Sequence, residues 1–461
     1  MNSFLKSSTI YLIGSFILKG ISFLTLPIFT RLMLPDDYAM YSLYSATLGI
    51  LMIFIGMQIQ GTVNLAFSGR TIKDFESYVS NISVFPLIGL LLGIILFLFI
   101  PNITDILMVS SYLYVIILMI QAFFGILTNI YMSELIIKKQ PKKHLIFSLI
   151  ATISNVLLSI GFVLMIKENT YFGRVLGGLL SNLFVGIYIL ILYLPRINWK
   201  NLKKDWKYGL SLSLPLIFHN LSGQLLNVAD RYMLSYYSSE FEVALYSICY
   251  NIGLIIQIIW LSINNAWVPW YFESLKAELT NKIRVYCKQY ITFFSVGTII
   301  FLYCTPELTV LMAGQQYKEG IYITPFIAVS YFFVFLYSFY VNYEFYKENT
   351  KIIPIATLIA VIINIILNIY SIPQYGIYGA AISTIISYFV MFICHYFIVT
   401  NFMKHRDFPS SYIIISIIFV LLNMIISYIF IEYFALRFLL VIVYIIIYVL
   451  YLKIEIKKII K

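Results

Sequence analysis

Apolar residues run along this chain in windows of about 20, the length of a membrane-crossing helix, and short polar breaks separate the windows. The pattern predicts fourteen transmembrane helices. The predicted spans are 8–32, 41–66, 79–100, 111–136, 145–166, 175–195, 208–236, 243–271, 286–304, 321–345, 352–370, 377–400, 411–431 and 435–452. The predicted fold class is therefore an all-α polytopic membrane protein.

Composition and charge agree with this prediction. Charged residues make up 11% of the chain, whereas a soluble domain has about a quarter. With the N-terminus inside, 24 of the 31 Lys and Arg residues fall on inner segments, and the outer loops hold Lys167, Arg174, Lys318 and Arg437. This loop-by-loop asymmetry predicts that both termini are cytoplasmic. The net charge of +11 is then mostly the inner face, beside anionic lipids, so it predicts no nucleic-acid partner.

The chain also shows an internal repeat. "KGISFLTLPIFTRLML" (19–34) aligns with "HNLSGQLLNVADRYML" (219–234), "ATISNVLLSI" (151–160) with "AVIINIILNI" (360–369), and "GGLLS" (177–181) with "GAAIS" (379–383). A unit of six spans predicts two parallel lobes related by an axis along the membrane normal. The predicted divisions are an N-terminal lobe with its following loop at 1–207, a C-terminal lobe at 208–405, and two extra helices with a basic tail at 406–461.

Spans 1 and 7 are too polar for helices that face lipid on all sides, and we expect them to line a cleft between the lobes. The candidate substrate-binding cations are Lys19, Arg31, His219 and Arg231, which the repeat aligns as two pairs. A Lys or Arg at the bilayer centre costs about 2.5 to 3.5 kcal/mol, so it needs a partner or a watery cavity.

Structural roles stay open for the same residues. Arg31 and Arg231 fall near the outer ends of their spans, where long cations snorkel or pair with acids such as Asp36, Asp37 or Asp230. His219 is either a hydrogen-bonded interior residue or a group that takes up a proton. On a straight helix, Lys19 and Arg31 lie about 120° apart, so only a bend at Pro27 would put both on one face.

Three acids within the spans are candidates for coupling an ion to transport: Asp230, Glu134 and Glu344. Ion pairing at the membrane interface is the alternative role for Glu134 and Glu344. The four cysteines lack metal-ligand spacing, so we expect no metal site and no cofactor.

Several stretches resemble a known family. "LPIFTRLMLPDDYAMYSLY", "LPLIFHNLSGQLLNVADRYML" and "IPQYGIYGAAIST" are similar to the corresponding elements of polysaccharide flippases of the MOP exporter superfamily, although Ala39 stands where Gly is usual. The nearest subgroup is the Wzx-type O-antigen or capsule repeat-unit flippases. The resemblance implies alternating-access transport of undecaprenyl-diphosphate-linked oligosaccharide to the outer leaflet of the bacterial plasma membrane. It also implies membrane lipids, a polysaccharide polymerase and a chain-length regulator as partners, with H⁺ or Na⁺ as coupling ion.

Three other functions remain open on the sequence. A lipid-II flippase shares fourteen spans and a cationic cavity. A multidrug or cation antiporter of the same superfamily would favour acids in its cavity. A polysaccharide polymerase would be an enzyme, but the sequence has no long outer loop, nucleotide-binding loop or nucleophile–base pair, so we expect no enzymatic activity.

Overall fold

The computed structural model describes residues 3–67, 70–100, 104, 111–349 and 352–460, without the side chains of 3–13, 15, 16, 22, 98 and 454–460. The all-α prediction is confirmed, because these residues form helices and no strand. The predicted cytoplasmic positions of Met1 and Lys461 lie outside the described residues.

In the described parts of the chain, thirteen long helices cover the fourteen predicted spans. Their bounds are α1 Ser3–Leu32, α2 Pro35–Gly56, α3 Ile72–Phe99, α4 Tyr112–Ile137, α5 Pro141–Met165, α6 Thr170–Tyr193, α7 Leu202–Tyr237, α8 Glu240–Lys276, α9 Thr280–Ala313, α10 Thr324–Tyr346, α11 Ile353–Phe397, α12 Ser410–Ile429 and α13 Phe434–Ile460. A short helix, Thr62–Ala66, follows α2, so the second span was predicted to continue too far.

Helix α11 contains two predicted spans, and we call its parts before and after Gly376 α11a and α11b. Gly376 has φ +53° and ψ −132°, a conformation that a residue with a Cβ rarely adopts. The chain folds back there, since the Ser371 and Ser383 hydroxyls come within 3.0 Å of each other. A predicted connection of several residues is thus replaced by a kink at one glycine.

Local sequence fixes many of the helix ends. Ser239 accepts a hydrogen bond from the Glu242 amide at 3.2 Å and caps α8, and Thr71 does the same for α3 through Asp74. Proline occupies the first turn of α2 and α5, where its missing N–H is not needed.

Eleven helices of the described part are long and apolar enough to cross a membrane, by length and composition. Helix α11 counts once among them although it holds two spans. The other long helices in the described part are α1 and α7, which carry the candidate cations. Fourteen crossings are therefore consistent with the structure.

The chain divides into two compact units, unit 1 (Met1–Tyr232) and unit 2 (Met233–Lys461). Most of α7 packs within unit 1, although the sequence repeat makes it the first helix of the second lobe. The lobe boundary at residues 207 and 208 describes the repeat, and it stays a prediction.

Candidate functional site

Helix α1 carries two of the candidate cations in different environments. Lys19 is half-buried near the middle of the helix, about 20 Å from its C-terminal end at 1.5 Å per residue. Within the described residues it makes no hydrogen bond or ion pair. Arg31 is exposed in the last turn, and its Nη1 atom donates to the Pro27 carbonyl at 2.8 Å. Of the two cations of α1, Lys19 is therefore the one without a polar partner among the described residues.

Helix α7 carries the other two cations and one acid. His219 is half-buried near the middle of the helix, and its Nδ1 atom is buried without a hydrogen-bond partner in the described part of the chain. Arg231 is half-buried, while the neighbouring Asp230 is fully buried. An imidazole nitrogen that lacks a partner is available to a ligand or to water.

Other polar residues of α7 bond to their own helix. Asn220, Ser222 and Asn227 each donate to the carbonyl four residues earlier, at 2.8 to 2.9 Å. This local bonding satisfies the side chains without a ligand. Part of the polar character that suggested cavity lining therefore has a structural explanation, and His219 is the exception.

Contacts within unit 1 hold α7 in place. The Tyr232 and Thr47 hydroxyls lie 2.6 Å apart, so α7 meets α2. Gly49 of α2 makes room for Gln224, because a Cβ there would lie 2.3 Å from the amide nitrogen. All four candidate cations thus belong to two helices of unit 1.

The start of α7 is fixed by a cation between two aromatic rings. The Arg70 guanidinium lies 4.5 Å from the Tyr78 ring centre and 4.7 Å from that of Tyr208. Trp206 donates from Nε1 to the Asn81 carbonyl at 2.7 Å, which ties α7 to α3. These contacts favour a fixed base for the helix that carries His219 and Arg231.

A second set of residues, the Glu134 cluster (Glu76, Glu134, Lys138, Tyr193 and Arg196), gathers at the ends of α3, α4 and α6. Glu134 is 1% exposed, pairs with Lys138, accepts from the Tyr193 hydroxyl at 2.7 Å and lies 3.7 Å from Arg196. Lys138 also bonds Glu76 at 2.5 Å. Two acids and two bases thus share one site, with a hydroxyl as additional donor.

The third candidate acid lies in unit 2. Glu344 of α10 and His395 of α11b, the Glu344 pair, are both fully buried. The His395 Nδ1 atom lies 3.0 and 3.1 Å from the two carboxylate oxygens of Glu344. Because a buried carboxylate needs a compensating partner, His395 is the group on which Glu344 depends.

Sequence reasoning missed Tyr193, Arg196 and His395. The repeat could have pointed to His395, because the offset of 202 residues between "GGLLS" and "GAAIS" also aligns Tyr193 with His395.

Two residues near the outer ends of the predicted spans have other partners than expected. Arg174 was assigned to an outer loop, and its guanidinium lies 3.9 Å from the Phe29 ring centre and 3.7 Å from that of Tyr41. Asp37, considered as a partner of Arg31, accepts from the Thr170 amide and hydroxyl.

A third histidine lies outside the spans, between α11 and α12. The His405 ring stacks on Tyr343 with 3.7 Å between ring centres, and its Nε2 atom is 3.2 Å from the Tyr271 hydroxyl. Burial lowers the pKa of His405, while the nearby Asp407 opposes that effect. Among the described residues, no group of three or more His, Cys, Asp or Glu could hold a metal ion.

Comparison with known proteins adds family relationships. A family model described as "Polysaccharide biosynthesis protein" matches residues 4–275, and one described as MatE matches residues 215–370. An uncharacterized membrane protein of Haemophilus influenzae is 28% identical over 375 residues, which cover 78% of this chain and 88% of that protein. Lsg locus putative protein 1 of the same species is 23% identical over 406 residues, covering 84% and 97%.

Solved structures share the fold. The lipid II flippase MurJ in an inward closed conformation matches with a TM-score of 0.77 and 16% identity, over 98% of this chain and 100% of that one. An inward-facing multidrug resistance MATE family transporter of the MOP superfamily matches with a TM-score of 0.61 and 15% identity, over 84% and 96%. These likenesses concern the fold.

Proposed function

Because the chain belongs to the polysaccharide biosynthesis protein family of the MOP superfamily, whose members are transporters and flippases, we propose that it flips undecaprenyl-diphosphate-linked oligosaccharides. The repeat unit would move from the inner to the outer leaflet of the bacterial plasma membrane by alternating access. It would serve the assembly of O-antigen, capsule or exopolysaccharide.

The environment of Lys19 and His219 supports a diphosphate substrate independently of the family relationship. Both are half-buried near the middle of long helices, and the described residues offer Lys19 no ion pair and the His219 Nδ1 atom no hydrogen bond. Intramembrane cations mark substrate pathways. A diphosphate supplies the negative charge and acceptor oxygens that these groups lack.

The proposed roles differ among the four cations. Lys19 acts as a point charge for the diphosphate, and Arg231 offers a planar fork that suits two phosphate oxygens. His219 adds a hydrogen bond. Arg31 is exposed in the last turn of α1 and already bonds Pro27, so its role is to guide the substrate near the helix end.

Lipid II flipping is the second candidate function, and the match to MurJ over nearly the whole chain favours it. Lipid II is also a lipid-linked sugar diphosphate, so the same cations would suit it. Complementation separates the two functions. We expect the protein to restore surface polysaccharide to a strain without its own repeat-unit flippase, and to fail to support growth of a strain depleted of its lipid II flippase.

Substitution of the cations tests the proposed site. Lys19→Ala with Arg231→Ala should reduce surface polysaccharide at least tenfold at unchanged protein level, because two charges that hold the diphosphate are lost. Lys19→Arg should be milder, since it keeps the charge. Polysaccharide is measured by immunoblot of the cell surface, and the protein by a tag at the membrane.

Lys203→Ala with Lys207→Ala is the matched control, because both cations are exposed in the first turns of α7. The control should keep normal export. Normal export from the Lys19 and Arg231 double variant would overturn the site. Loss of export from both double variants would show a general need for positive charge instead.

We also propose that a polysaccharide polymerase and a chain-length regulator act on the exported repeat units, and that the flow of H⁺ or Na⁺ drives transport. The termini are proposed to be cytoplasmic, in agreement with the distribution of Lys and Arg along the chain.

A further inference from the structure

The Glu344 pair places an acid and a base together where water does not reach. Both side chains have 0% exposure, and the His395 Nδ1 atom contacts both carboxylate oxygens of Glu344. Glu344 lies two residues before the end of α10, and His395 two residues before the end of α11b. The pair therefore sits beside the segments that connect these helices to the basic loops of unit 2.

One aromatic ring is stacked on the pair. The Tyr337 ring of α10 lies against His395 with 5.6 Å between ring centres, and the His395 Nε2 atom is buried without a hydrogen bond in the described part. Within that part, neither the Glu344 side chain nor the His395 side chain has another hydrogen bond or ion pair. The charge of the pair is thus set by its own protons.

Ionisable groups on the neighbouring elements have other partners. Four of them lie against aromatic residues of α10, namely Tyr250 of α8, Lys347 after α10, Tyr396 of α11b and His405 after α11. Asp407 lies 3.8 Å from His405, the Tyr412 hydroxyl of α12 bonds that of Thr292 in α9, and Cys287 of α9 acts electrostatically on Tyr340. Lys347, the nearest cation in sequence, places its Nζ atom 5.8 Å from the Tyr343 ring centre and 5.7 Å from that of Tyr346.

Burial restricts the proton count of such a pair. One shared proton leaves the pair neutral overall, whether it resides on the carboxylate or on the imidazole. A second proton leaves one net positive charge and the loss of the first leaves one net negative charge, and an unbalanced charge in apolar surroundings is strongly disfavoured. One proton is therefore the count that burial favours for the closed pair, and a change in that count needs access to water.

The Glu134 cluster shows the alternative arrangement. There the buried acid has Lys138 and Arg196 as cations and the Tyr193 hydroxyl as donor, so no proton is needed for neutrality. In the sequence repeat, His395 takes the place of that tyrosine. Unit 2 thus has a titratable group where unit 1 has a hydroxyl.

We propose that Glu344 and His395 form a proton-binding site whose occupancy changes during the transport cycle, as this end of unit 2 opens to water and closes again. The inference rests on the proposed transport function and names its coupling ion. The proton comes from the aqueous phase, binds the carboxylate oxygen or the imidazole nitrogen, and returns to water, so no other bond forms or breaks.

Infrared spectroscopy tests proton binding without any substrate. The full-length protein in liposomes is titrated with acid and base, and the C=O stretch of protonated carboxylic acids is followed together with the ring bands of protonated imidazole. All variants share the change that comes from the exposed acids. Above it, wild type should show one further pH-dependent band, Glu344→Gln should lack that band, and Glu76→Gln should retain it. Glu76 is the matched control because it is a partly exposed acid of the Glu134 cluster.

The proposal is overturned if Glu344→Gln keeps the full pH-dependent band, or if wild type has none. Export provides the second readout. His395→Tyr keeps a hydrogen-bond donor but removes the imidazole that shares the proton, so surface polysaccharide should fall and what remains should no longer depend on pH. Export that depends on pH equally in wild type and His395→Tyr would also overturn it.

The two failures are distinguishable. If deletion of the protein leaves every lipid-linked sugar export unchanged, the proposed function fails while the infrared result stands by itself. If export requires the protein but the infrared band does not involve Glu344, the proton site fails and the flippase function remains.

Discussion

The Glu134 cluster and the Glu344 pair solve the same physical problem in different ways. Each keeps a buried carboxylate near the end of a long helix in its own unit. In unit 1 two permanent cations and a hydroxyl surround Glu134, while in unit 2 one imidazole faces Glu344. Two repeated halves of one chain can therefore surround a buried acid with permanent cations in one half, as at Glu134, and with a proton-binding imidazole in the other, as at Glu344.

The largest expected effect is on stability, and it separates the two acids. Glu134→Gln leaves Lys138 and Arg196 with fewer negative charges, so we expect a loss of about 2 to 3 kcal/mol. Glu344→Gln keeps an oxygen that accepts from a neutral His395, so the loss should be about 1 kcal/mol. Thermal unfolding in detergent measures both. Equal losses would remove the distinction between a fixed and a titratable site.

Exchanging the two hydrogen-bond donors, Tyr193 and His395, should change proton binding in unit 2 and leave unit 1 unchanged. Tyr193→His should add no pH-dependent proton binding to unit 1, because Lys138 and Arg196 already supply positive charge beside Glu134. His395→Tyr should abolish the pH-dependent binding in unit 2. Infrared titration of the two variants follows both changes. A new pH-dependent carboxyl band in Tyr193→His would contradict the account.

Removal of one hydroxyl gives a smaller effect. Tyr193→Phe deletes the donor to Glu134 while the two cations remain, and we expect a loss of about 1 kcal/mol in unfolding free energy. The matched variant is Tyr112→Phe, which changes a half-exposed tyrosine of α4, the helix that carries Glu134, and should be nearly neutral. A loss from Tyr112→Phe as large as that from Tyr193→Phe would show that packing, not the hydrogen bond to Glu134, sets the effect.

His405 also makes the stability of the protein depend on pH, and this contribution must be separated from that of the Glu344 pair. Burial lowers the pKa of His405 in the folded protein, so below about pH 6.5 the unfolded chain binds a proton more readily. Stability should therefore fall as pH drops through that range and be retained above it. His405→Gln should reduce this slope by a small amount in a pH series of thermal unfolding. An unchanged slope would assign the acid sensitivity to other groups.

Much of the fold could be predicted because membrane crossing imposes a length and a composition on each span. The tight turn at Gly376 and the early end of α2 depend on local backbone geometry, which apolar windows do not report. The repeat predicted that α5 and α11a occupy equivalent places in the two halves. Gly177 allows close contact with the backbone of Ser159, and Gly379 allows the same with Ser371.

The candidate sites were harder to predict. Glu134 and Glu344 stood out as rare acids within spans, but their partners Tyr193 and His395 lie 59 and 51 residues further along the chain. Only folding brings those side chains to the acids. The polarity of α7 was visible, whereas the hydrogen bonds of Asn220, Ser222 and Asn227 to their own helix depend on side-chain conformation.

Binding of undecaprenyl diphosphate to the purified protein tests the central claim most directly. Radiolabelled lipid in detergent micelles is offered to wild type, to Lys19→Ala with Arg231→Ala, and to Lys203→Ala with Lys207→Ala, with uncharged undecaprenol as competitor. The account predicts that wild type and the control bind the diphosphate, that the Lys19 and Arg231 variant loses at least tenfold in affinity, and that undecaprenol competes weakly. Equal affinity in all three proteins would contradict it.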